Sequence, residues 1–205
     1  MNYQQFRDIL FKQVCFSSNQ VYAWQPGFNK NNLSRWVKKG YLIKLRNGFY
    51  SFPEYLEKSD YALFIANRIY RPSYVSLHTA LAFYGLIPEA VIRITSVTTL
   101  KTKNFKNKFG SYFYQTIHPG YMFGYEQKIL GENLSVLLAE PEKAILDLLY
   151  LYPFYNSRGE LEALRLDIDI FKDMINVITL EKYTQKFQNR NLENRIRMLI
   201  EIYNT

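Results

Sequence analysis

The Asn-Gly pair at 47–48, starting seven residues after a glycine at position 40, constrains this chain more than any other feature. Alternating stretches, "YLIKLR" and "FYSF", flank the pair, and Asn-Gly is the strongest short hairpin signal because both turn positions call for positive φ. Upstream, Leu33, Trp36 and Val37 recur at helical spacing, Asn31 or Asn32 caps the segment, and Gly40 stands where helices stop. A helix is therefore expected to run straight into a hairpin. Two more helices are predicted before it. One has Tyr3, Phe6, Ile9, Leu10 and Val14 on its apolar face, and a short one starts at Ser17 or Ser18, carries Val21, Tyr22 and Trp24, and stops at Pro26-Gly27. Three helices followed by a two-stranded hairpin is the plan of a winged helix-turn-helix, here residues 1–53.

Charge is unevenly spread over this plan. The 205 residues carry a net charge of +8, yet residues 1–53 hold eight Lys and Arg against Asp8 alone, and the remaining 152 residues are nearly balanced. Such a bias suits a polyanion, because each cation set against a phosphate releases condensed counterions. In a winged helix the third helix enters the major groove and the hairpin touches the flanking backbone. The expected DNA contacts are therefore Lys30, Asn31, Asn32, Ser34, Arg35, Lys38, Lys39, Lys44 and Arg46. Lys44 and Arg46, two apart on a strand, are expected to point the same way. A protein-docking module with a basic winged helix is the alternative that charge leaves open.

"PEYLEKSD", 53–60, has a linker's make-up, which places a boundary between a DNA-binding domain, 1–58, and a second domain, 59–205. There "YALFIANRIY" reads as a helix interrupted by Pro72, and Ser76 is expected to cap "LHTALAFYG". The period then changes: "VIRITSVTT", "FGSYFYQTI", "FGYEQKIL" and "LSVLLAE" predict a sheet of about four strands. Pro141 opens a helix, "PEKAILDLLYLY", with Glu142 in its first turn, and further helical segments follow: "LEALRL", "IFKDMI", "LEKYTQKF" and "LENRIRMLIEIY". The expected fold class is α+β: an N-terminal winged helix-turn-helix, then a mixed sheet with flanking and C-terminal helices.

Catalytic patterns are scarce. Gly120 and Gly124 do not make a phosphate-binding loop, His78 and His118 lie 40 residues apart without cysteine or acid at ligand spacing, and Cys15 is the only cysteine. No cofactor and no metal is expected. His78 reads as a structural residue, His118-Pro119-Gly120 as a turn and Cys15 as a small packed thiol. Glu126 with Lys128 fits a metal-dependent nuclease only if an aspartate joins them, and the nearest upstream aspartate is Asp60. In "KTKNFKNK", Lys101, Lys103, Lys106 and Lys108 fall between two predicted strands as a basic hairpin tip. It serves either as a second phosphate contact or as lysine protection of an edge. No run reaches the about 18 apolar residues of a membrane span, and "MNYQQFRDILFKQ" lacks signal-peptide order, so a cytoplasmic chain is expected.

Three blocks resemble the AbiEi family of antitoxin-type transcriptional regulators: "YRPSYVSLHTALAFYGLIPEAVIRITSVTTLKTKNFKNKFGSYFYQTI" at 70–117, "FGYE" at 123–126 and "AEPEKAILDLLYL" at 139–151. The resemblance implies a bacterial repressor that binds operator DNA, with inverted repeats, upstream of its own operon. It also implies a nucleotidyltransferase-type toxin as genetic partner, neutralised through the second domain without a stable complex, and a protein that is not an enzyme.

Overall fold

The computed structural model describes residues 1–57, 60–88, 92–131 and 134–203. The fold is α+β, with a mixed sheet and flanking helices. The boundary expected at 58/59 lies outside the described residues.

Helix α1 (Tyr3–Leu10) starts at Asn2, whose side chain accepts from the Gln5 amide while Gln5 returns the bond. The helix expected to reach Val14 ends at Leu10 instead. A single 3-10 turn follows, and Val14 takes φ +58°. Helical spacing was overridden by tertiary pairing: strand β1 (Cys15–Ser17) runs antiparallel to β3 (Phe49–Ser51), and the Ser51 hydroxyl donates to the Val14 carbonyl at 2.6 Å. Of the two serines expected to start α2 (Ser18–Trp24), Ser17 is the cap, through a second capping box with Gln20. Then come α3 (Asn31–Lys38) and β2 (Ile43–Arg46), giving the sheet order β1-β3-β2.

The Asn47-Gly48 hairpin forms, but differently from expectation. Only Gly48 takes positive φ, +77°, and the ladder slips between Lys44 and Arg46 so that Arg46 stands opposite Phe49. That bulge breaks the two-residue alternation on which a shared face for Lys44 and Arg46 depended.

Beyond the 3-10 turn Pro53–Glu57 stand α4 (Asp60–Ile69), β4 (Ser73–Val75), α5 (Leu77–Phe83), β5 (Ile94–Thr98), β6 (Lys103–Asn107), β7 (Gly110–Thr116), β8 (Tyr125–Leu130) and β9 (Leu134–Ala139). The expected four strands are six, in the order β6-β7-β5-β4-β9-β8. Pairing is antiparallel in β6/β7, β4/β5 and β8/β9, and parallel in β5/β7 and β4/β9. One addition, β4, is three residues wedged between Pro72 and a helix, too short to show a period. The other, β6, is the segment expected to be a hairpin tip. Helices α6 (Pro141–Leu151), α7 (Arg158–Glu162), α8 (Ile168–Met174), α9 (Val177–Gln185) and α10 (Arg190–Tyr203) complete the chain. Within "LEALRL" the helix has already ended, with Arg165 at φ +51°.

Two hydrophobic clusters result. The smaller is aromatic, built on Phe6, Phe16, Phe28, Trp36 and Phe52. The larger fills the six-stranded sheet and its helices, and it also takes Val14, Cys15, Ile43 and Leu45 from the N-terminal sheet. That sheet is covered on both faces. The segment expected to be a linker is packed too: Tyr55 stacks on Phe11 and lies against Tyr61, and Arg7 pairs with Glu54 at 2.9 Å.

Candidate nucleic-acid interface

The candidate surface begins with how α3 is held. Trp36 is buried among Tyr3, Phe6 and Phe28, and its carbonyl accepts from the Tyr41 and Leu42 amides past Gly40, which turns at φ +76°. Helix end and strand start are thereby locked together. At the other end neither Asn31 nor Asn32 is the cap. Lys30 holds the cap position without a side-chain bond, and Asn29 before it accepts from the Asn31 amide at 3.0 Å, because Asn31 and Asn32 already lie inside the helix. Burying Leu33 and Trp36 forces Ser34, Arg35, Lys38 and Lys39 outward, and all four are exposed, as are Lys30 and Asn31. Asn32 is half-buried and accepts from the Arg35 guanidinium at 2.5 Å, which fixes the direction of that side chain. Lys30 and Lys39 lean over the rings of Tyr22 and Tyr41.

The hairpin divides its two cations. Lys44 is exposed, opposite Tyr50. Arg46 is half-buried, its guanidinium 4.2 Å from the Phe49 ring centre and 5.6 Å from that of Phe105 on β6. Burial lowers its pKa, and its Nε is enclosed without a hydrogen-bond partner. Next to it the Asn107 amide donates to the Leu45 carbonyl at 3.2 Å, so β6 is docked on the hairpin. Between them runs a cleft of about 510 Å³, lined by Arg46 and Asn47 on one side and by Lys103, Asn104 and Lys106 on the other. Lys101, Lys103, Lys106 and Lys108 are all exposed. Two of them, Lys103 and Lys106, belong to an edge strand, and the hairpin turn lies at Lys108-Phe109. The structure thus brings Arg46 and the β6 lysines together.

Other candidates are placed as follows. His118 accepts from the Gly120 amide in a turn, and His78 packs edge-on against Tyr152. Cys15 is buried, which raises its pKa to about 12 although Arg68, Arg71 and Arg46 pull the other way. Lys128 pairs with Glu126 at 2.6 Å. Asp60 instead stands beside Gly131, just past the end of β8 and five residues on from Glu126. The triad a nuclease needs is not assembled there. Among the described residues no three His, Cys, Asp or Glu side chains gather as a metal site.

Sequence reasoning missed a polar network at the centre of the larger core. Lys143 pairs with Asp147 one helical turn on, and its ammonium donates to the Tyr74 hydroxyl at 2.8 Å. Tyr74 and Ser76 each donate to Asp147 Oδ2 at 2.8 Å, so Ser76 ties β4 to α6 rather than capping α5. Burial raises the Asp147 pKa and lowers that of Lys143. With both side chains fully enclosed the network offers no surface to a substrate. Its visible signal was the i, i+4 Lys–Asp pair in the otherwise apolar stretch "KAILDLL". Arg68 and Arg71 were missed as well, and they carry no acid partner among the described residues.

No protein-family model matches the chain. No curated protein matches it either. Among the described residues no helix is long and apolar enough to cross a membrane.

Proposed function

We propose that this protein is a sequence-specific DNA-binding regulator of the winged helix-turn-helix type, with α3 as recognition helix and the β2–β3 hairpin as wing. One observation carries the reading. Burial of Leu33 and Trp36 leaves Ser34, Arg35, Lys38 and Lys39 exposed together on a helix with no acidic residue in it. Exposed Lys44 adds a cation on the hairpin, and the lysines of β6 extend the basic surface onto the neighbouring sheet. Cations on exposed backbone-tracking elements supply phosphate contacts, and an arginine with a fixed guanidinium supplies base readout.

The biological role follows from the resemblance at 70–117, 123–126 and 139–151: an AbiEi-type autorepressor and antitoxin acting in the cytoplasm. Residues 1–58 bind inverted repeats upstream of the operon. Residues 59–205 neutralise a nucleotidyltransferase-type toxin without forming a stable complex with it. The test is a mobility-shift titration of the chain on its own upstream DNA against scrambled DNA over a range of salt. Preference for the upstream DNA, with affinity falling steeply as salt rises, is expected. Failure to shift any DNA at low salt favours the docking module, and plasmid cleavage with Mg²⁺ or Mn²⁺ favours the nuclease.

A further inference from the structure

Helix α4 ends at Ile69 within "NRIYRP", so Arg68 stands in its last turn and Arg71 two residues past its end, and both line one pocket. With Asn67 they form one wall of a pocket of about 580 Å³, and Tyr125, Gln127 and Ser135, from β8 and β9, form the other. That volume falls within the range of about 300–1,000 Å³ typical of small-ligand sites. Among the described residues neither arginine has a carboxylate partner. Burial, and then the charge of Arg71, hold the Arg68 guanidinium below its ordinary pKa. Arg71 Nε donates to the Asn67 carbonyl at 2.9 Å, satisfying a helix-end acceptor. Such capping occupies one nitrogen of Arg71, and the half-buried Arg68 guanidinium lies 4.7 Å from the Phe64 ring centre, so among the described residues neither cation is neutralised by a carboxylate.

The third member of the wall is a buried amide. Asn67 is only 5% exposed, its Oδ1 accepts from the Leu137 amide at 2.5 Å, and its Nδ2 is buried with no partner. An unmade donor at a buried position is costly, and the group that satisfies it must be an acceptor. The two guanidiniums beside it donate and, among the described residues, lack an anion. The opposite wall is neutral: an amide, a hydroxyl and the Tyr125 ring, which is held flat on Tyr74 at 4.5 Å.

We infer that this pocket binds a phosphate group attached to a planar base, from a free mononucleotide or from a nucleic-acid strand. Phosphate oxygens match the arginine forks, and Tyr125 gives the base a rigid surface. The inference does not depend on α3 binding DNA.

The experiment is titration calorimetry of the full chain with 5′-AMP, adenosine and inorganic phosphate. AMP should bind, with adenosine about tenfold weaker or worse, since charge-assisted bonds dominate. Arg68→Met, which keeps an unbranched side chain but takes the guanidinium from over Phe64, and Arg71→Ala should each weaken AMP by about tenfold or more. Arg158→Ala, which removes an exposed cation paired with Glu162, should leave AMP binding unchanged. If Arg68→Met fails to fold, Arg71→Ala at its exposed position decides. A short duplex that displaces AMP identifies backbone phosphate as the source, and one that does not identifies the free nucleotide. Absence of AMP binding, equal binding of adenosine, or undiminished binding by the Arg71 variant overturns the site.

Discussion

Arg35 and Arg46 belong to the same basic stretch, and their surroundings give them different work. Arg35 is exposed and aimed by Asn32. Replacing it with alanine should flatten the ranking of operator variants, since a good bidentate contact discriminates by about 1–3 kcal/mol. Weaker binding with an unchanged ranking would reduce Arg35 to a phosphate contact. Arg46 lies over Phe49 and Phe105. Arg46→Ala should therefore act on folding, lowering stability in urea by about 0.5–2 kcal/mol through lost cation–π and stem packing, and should barely change the salt dependence of DNA binding. A slope reduced by a full unit would return Arg46 to the interface. Cys15 makes a third case. Its folded pKa, raised to about 12, means the thiol stays protonated through the range where an unfolded cysteine ionises near 8.5. The stability tied to that protonation is present below the unfolded value and is lost as pH climbs toward 12. At pH 8 a thiol reagent should leave the native protein unlabelled and modify one group after denaturation. Rapid native labelling would show that the β1 region opens.

At the scale of elements, legibility followed the source of each element's stability. Helices α2, α3 and α6 carry their own signals, in Ser17 with Gln20, in Gly40 and in Pro141, so their positions could be read locally. The end of α1 could not, because β1 exists only through its pairing with β3, a partner more than thirty residues away. Strand β4 is too short for a period, and β6 hid behind its lysines, which resemble a loop in composition. The exposed face of α3 was likewise readable, since buried Leu33 and Trp36 dictate what remains outside. The pocket beside Arg68 and Arg71 was not, for its walls come from α4, β8 and β9, which only the sheet order brings together. The two basic elements make separable contributions under the proposed function. Lys44→Ala should lower the salt slope by about one unit, and Lys103→Ala with Lys106→Ala by about one to two, each uniformly across DNA sequences. An unchanged slope in the second variant would leave the β6 lysines as edge protection alone.

Over the whole molecule the two hydrophobic clusters are joined, and this decides how its activities can be separated. Charge places nearly all of the excess in residues 1–53, which invites cutting the chain there. The packing argues against the cut. Val14, Ile43 and Leu45 are buried in the larger cluster, together with Cys15. Uncovering three such aliphatic side chains costs about 1.5–3 kcal/mol each, or about 5–9 kcal/mol together, which is comparable to the entire stability of a small domain. The fragment 1–57 should therefore lack a cooperative thermal transition and near-ultraviolet tyrosine and tryptophan signals, while the full chain melts as one unit. Its loss of DNA binding would then report unfolding rather than a missing contact. Separation is better sought with Arg35→Ala and Lys38→Ala in the full chain, where both side chains are exposed and the core is untouched. That double variant should lose operator preference and still relieve growth arrest when the cognate toxin is expressed. If the fragment melts cooperatively and binds as the full chain does, the joint between the clusters is dispensable. If the double variant folds but no longer rescues growth, protection runs through the DNA-binding surface and the division of labour between the two parts of the chain is wrong.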